Sequence, residues 1–83
     1  MKCRNMFIQS QLERMGWVTS SKNKGTYITY AGELREYVVL TRPAGVSRKM
    51  EGKIFQLLAK AESRRRGGAD PQPLVEQAKA LLS

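Results

Sequence analysis

The 83 residues carry fifteen Lys and Arg against seven Asp and Glu, for a formal net charge of +8, with 41% hydrophobic and 27% charged content. Those values describe one small globular domain rather than a disordered chain. A chain this short has room for a modest core but not for a large enclosed substrate cavity.

Residues 5–15, NMFIQSQLERM, predict a short amphipathic helix. Asn5 is its N-cap, Ile8, Leu12 and Met15 fall at i, i+4 and i+7, and Gly16 stands where a helix stops. Trp17 and Val18 begin a strand that Ser20 and Ser21 weaken. KNKG at 22–25 has the residues of a turn. Residues 26–30 then alternate, with Thr26, Ile28 and Tyr30 on one side and Tyr27 and Thr29 on the other. AGE at 31–33 closes a second turn. LREYVVLT, 34–41, is the clearest strand, with Leu34, Glu36, Val38 and Leu40 sharing one face. Pro43, which cannot donate to a ladder, marks the end of the sheet.

Ser47 caps a second helix from 48 to about 65, whose apolar positions Met50, Ile54, Leu57, Leu58 and Ala61 follow helical spacing. Gly52 inside that helix suggests a close approach by another group, since glycine there costs about 1 kcal/mol against alanine. Residues 67–73 read as a linker. Residues 74–83 read as a short amphipathic helix, too short to stand alone. The expected organisation is an α+β domain over 1–66, the linker, and the terminal helix. The α+β domain has helices on one face of a small antiparallel sheet of two or three strands, in the order α-β-β-β-α.

Catalytic chemistry is hard to find. The chain has no histidine, one cysteine and scattered acids, so neither a metal site nor a cofactor is expected, and Cys3 has no base to activate it. Glu33 and Glu36 flank Arg35 at a solvated strand end. No phosphate-binding glycine motif is present. The lone cysteine, with neither a signal-peptide run nor a membrane span, implies a cytoplasmic protein.

The informative feature is charge. Residues 42–66 hold eight basic residues (Arg42, Arg48, Lys49, Lys53, Lys60, Arg64, Arg65, Arg66) and two acids, Glu51 and Glu62. On a helical wheel Lys49, Lys53, Lys60 and Arg64 lie within about 60°, roughly a quarter turn from the apolar stripe. Such a flank can grip phosphates, with Lys22, Lys24 and Arg42 extending the patch and Tyr27 near its centre. Membrane attachment is disfavoured, because the basic helix has no aromatic anchor on its apolar side beyond Phe55 at the margin.

The segments QLERMGWVTSSKNKGTYITYAG, REYVVLTRP and SRKMEGKIFQLLAKAE together resemble the HicA-type mRNA-interferase toxins over roughly residues 8–62. That resemblance implies a double-stranded-RNA-binding-domain-like fold. In the family pattern a glycine and a small hydroxyl residue precede the catalytic histidine. Gly25 and Thr26 match the first two, and Tyr27 stands in the histidine's place. It therefore implies RNA binding or docking to an antitoxin-like protein, without the family's cleavage chemistry.

The expectation is a non-enzymatic nucleic-acid-binding protein, RNA preferred over DNA, whose basic surface meets nucleic acid or else an acidic protein surface, with no small-molecule substrate. The alternative is a phage- or plasmid-encoded regulator or inhibitor that binds a host protein. It would dock through an exposed sheet edge or through Leu74, Leu81 and Leu82, a face that could also form a homodimer.

Overall fold

Asn5 and Gly16 delimit the first helix of the structure, a computed structural model that describes residues 1–82, with the side chains of 20–23 outside the described residues. Helix α1 runs Met6–Arg14. The Asn5 side chain accepts the Ile8 N–H at 3.0 Å. At the other end Trp17 N–H donates to the Leu12 carbonyl and Gly16 N–H to that of Glu13. This is a Schellman closure, and it requires the positive φ of 106° that Gly16 adopts. Its customary apolar contact falls on Leu12 and Trp17, both buried.

Three strands form one antiparallel sheet: β1 Lys2–Cys3, β2 Val18–Ile28 and β3 Leu34–Thr41, in the spatial order β1-β3-β2. With helices in separate segments, the protein is α+β. Two sequence expectations are corrected here. The third strand lies before α1 and not after it, so the order is β-α-β-β-α-α. And residues 22–25 make no turn, because β2 runs through them. Thr19 pairs with Leu40 and Lys24 with Val38, so residues 20–23 are an irregular bulge in a continuous strand. The second turn is present but opens two residues earlier than expected, at Thr29, because β2 ends at Ile28: Thr29 N–H donates to the Glu33 carbonyl, and Gly32 takes φ of 81°.

The register puts Cys3, Lys24, Thr26, Ile28, Leu34, Glu36 and Val38 on one face, and Lys2, Gly25, Tyr27, Arg35, Tyr37 and Val39 on the other. Alternation identifies faces but not interiors. Leu40 is buried, whereas the cross-strand partners Ile28 and Leu34 are 72% and 71% exposed.

The chain divides into two compact units, Met1–Pro43 and Ala44–Ser83. The second unit thus begins ahead of the second helix. Among the described residues, the buried side chains of the first unit are Cys3, Ile8, Gln11, Leu12, Trp17 and Leu40. In the second unit α2 (Arg48–Arg66) and α3 (Gln72–Ala80) pack on each other. Ser47 caps α2, its Oγ accepting the Met50 N–H at 3.1 Å. Ala69 N–H donates to the Arg64 carbonyl and Gly68 N–H to that of Arg65, a second Schellman closure with Gly68 at φ 84°. Helix α3 begins two residues earlier than expected, at Gln72, which shortens the linker. Its Leu74, Val75 and Ala78 are buried, as are Ile54, Leu58 and Ala61 of α2. A Cβ on Gly52 would meet nothing within 4 Å, so the close approach expected there is absent.

Candidate nucleic-acid interface

Lys49, Lys53, Lys60 and Arg64 are all exposed on α2, and none makes an ion pair among the described residues. The buried set Ile54, Leu58, Ala61 and Glu62 shifts the inward face away from Met50 and Leu57. By the wheel, the basic sector then stands about 135° from the buried stripe, farther round than the apolar spacing implied. Nothing on the helix itself neutralises this flank.

The arginine run divides. Glu62 is 4% exposed and accepts from Arg66 Nε at 2.8 Å and from Arg65 at 3.5 Å. These i, i+4 and i, i+3 pairs satisfy a carboxylate that burial would otherwise penalise. Arg64 therefore adds to the flank, while Arg65 and Arg66 hold the last turn of α2.

Of the remaining expected contacts, Lys24 is exposed on β2 and Arg42 is half-buried just beyond β3, both in the first unit. The Lys22 side chain lies outside the described residues. On the protein-docking face, Leu74 is buried, Leu81 half-buried and Leu82 exposed. The apolar stripe of α3 is thus largely taken up by α2.

Tyr27 sits in a cluster whose other members the sequence reading missed. Its ring centroid is 6.4 Å from that of Tyr37. The Arg4 guanidinium lies 4.7 Å over Tyr27, and the Lys2 ammonium 4.9 Å over Tyr37. Since β3 separates β1 from β2, Arg4 reaches across the central strand to do this. Gly25 makes room for the cluster: any Cβ there would strike the Tyr37 ring. Arg35, on the same face, is bound by Glu33 at 2.6 Å, and that hydrogen bond raises its already high pKa. The sheet face therefore offers two cations laid over two aromatic rings, a composition suited to phosphates and π-faces. The available signal was the alternation Lys2, Arg4, but two residues of strand have no readable period.

Cys3 is buried, donates its Sγ hydrogen to the Asn5 carbonyl at 3.3 Å, and has its pKa pushed up by burial. It is a packed thiol at neutral pH. Among the described residues no group of three or more His, Cys, Asp or Glu gathers to hold a metal ion, and no helix is long and apolar enough to cross a membrane. Comparison with protein-family models, with curated proteins and with solved structures yields no match for this chain.

Proposed function

We propose that this protein binds nucleic acid, RNA in preference to DNA, through phosphate contacts and without enzymatic activity. The observation that carries the reading is the α2 flank: four exposed cations within about 60° of arc, without an ion pair among the described residues and turned away from the buried stripe. A merely solvated helix intersperses acids among its lysines. Here the two acids of the segment lie elsewhere on the wheel. Lys24 and Arg42 add positive charge on the first unit. The preference for RNA rests on the likeness to HicA-type toxins, and the absence of histidine supports a binding role without that family's cleavage.

The test is fluorescence anisotropy against duplex RNA, single-stranded RNA and duplex DNA across a salt series. Binding at low salt that weakens steeply with salt is expected. No binding to any of the three at low salt refutes the proposal.

The competing reading, a regulator or inhibitor acting on a host protein, draws on the first unit. Strand β2 is an eleven-residue edge strand, and its hairpin end exposes Ile28, Tyr30 and Leu34. A pull-down that captures one protein stoichiometrically, and loses it when Ile28 and Leu34 become Ser, would favour it.

A further inference from the structure

The tip of the β2–β3 hairpin carries a feature that a phosphate-gripping helix does not explain. Tyr30 is wholly exposed, at 113% of its reference area. Thr29 and Glu33 close the loop beneath it, through Thr29 N–H to the Glu33 carbonyl at 2.9 Å and Glu33 N–H to Thr29 Oγ1 at 3.1 Å. The ring is thus held on a formed turn, in water, with no packing role. Beside it lies a groove of about 380 Å³ lined by Arg4, Tyr27, Ile28, Thr29 and Tyr30. That volume is near the low end of the range of about 300–1,000 Å³ for small-ligand sites, enough for one nucleotide-sized group.

Its lining has one chemical character. Two aromatic rings and an isoleucine provide apolar surface, one guanidinium provides a planar cation, and no acid is present. The nearest acid in sequence, Glu33, is already paired with Arg35 at 2.6 Å. A flat ring attached to a phosphate matches this set: the base stacks on tyrosine and the anion meets arginine. A base inside a duplex is stacked on its neighbours and has no free face to offer.

We infer that the Arg4–Tyr27–Tyr30 groove receives an unpaired nucleotide of single-stranded or looped nucleic acid. This rests on the nucleic-acid reading and adds to it. The α2 cations meet phosphates of any strand, and the groove selects strands with an unstacked base.

The experiment compares a single-stranded RNA oligonucleotide with the blunt duplex made from it, using wild type, Tyr30→Ala, Tyr30→Phe and Arg4→Ala. Because Tyr30 is fully exposed, its variants leave folding unchanged, checked by circular dichroism. Tyr30→Ala should weaken single-strand binding on the order of tenfold and duplex binding by less than about twofold. Tyr30→Phe should keep wild-type affinity for both, and Arg4→Ala should follow Tyr30→Ala. Unchanged single-strand binding by Tyr30→Ala, or equal loss on both ligands, overturns the groove assignment and leaves the α2 reading standing. Wild type that binds neither RNA overturns the groove assignment, and if it also fails to bind duplex DNA at low salt the α2 reading falls with it.

Discussion

Gly25 offers a sharp test of how the aromatic face is built. An alanine there places its Cβ on the far end of the Tyr37 ring, which must swing aside. In moving, the ring leaves Tyr27, 6.4 Å away between centroids, and the Lys2 ammonium at 4.9 Å. An aromatic pair contributes about 0.5–1.5 kcal/mol and an exposed cation–π contact about 0.5–1, so about 1–2.5 kcal/mol is lost. Against that, replacing glycine in a strand recovers about 0.5–1 kcal/mol of backbone entropy. Gly25→Ala should therefore destabilise the first unit by up to about 2 kcal/mol. In a Tyr37→Ala background nothing stands in the way, and the same substitution should stabilise by about 0.5–1 kcal/mol. The double-mutant cycle then shows a coupling of about 1–2.5 kcal/mol. Urea unfolding followed by Trp17 reads this directly, because Trp17 is the chain's single tryptophan and is buried in the same unit. If Gly25→Ala stabilises wild type as much as it stabilises the Tyr37→Ala variant, the ring does not pack on Gly25 and the reasoning fails.

Three further outcomes are expected. If Lys49, Lys53, Lys60 and Arg64 each meet one phosphate of a duplex, the log–log salt slope from these four is about −3.6. Lys53→Gln with Lys60→Gln should bring it to about −1.8, and an unchanged slope removes both lysines from the interface. Gly52→Ala, at an exposed helical position with open space around the new methyl, should raise stability by about 1 kcal/mol; a loss in thermal unfolding would reveal a neighbour the fold does not contain. Glu62→Ala should cost the second unit about 0.5–1 kcal/mol, because it removes the i, i+3 and i, i+4 pairs with Arg65 and Arg66, both of which stay solvated. Urea melts by circular dichroism check this, and a cost below experimental error would mean the buried carboxylate contributes nothing.

Local chemistry made much of the architecture legible in advance. Asn5, Gly16 and Ser47 carry capping preferences that act over three or four residues, so the helix ends they mark stand where expected. The period-2 run 34–41 and the turn at 31–33 are equally local. The basic sector of α2 is visible for the same reason: helical spacing alone puts Lys49, Lys53, Lys60 and Arg64 side by side.

Tertiary structure decided the rest, and each case involves a partner distant in sequence. Lys2–Cys3 has no pattern of its own and becomes a strand because Val38 and Val39 supply its ladder. Residues 22–25 have turn chemistry, yet β3 pairs with the chain on both sides of them and holds β2 continuous. Leu74 belongs to an apolar stripe that sequence cannot assign to a partner, and α2 covers it. Arg4, just after β1, and Tyr27 on β2 lie on opposite sides of β3 and meet only because the sheet sets them across one face. A residue's propensity reaches a turn or two along the chain, whereas strand pairing and ring contacts are fixed by which segments the fold brings together.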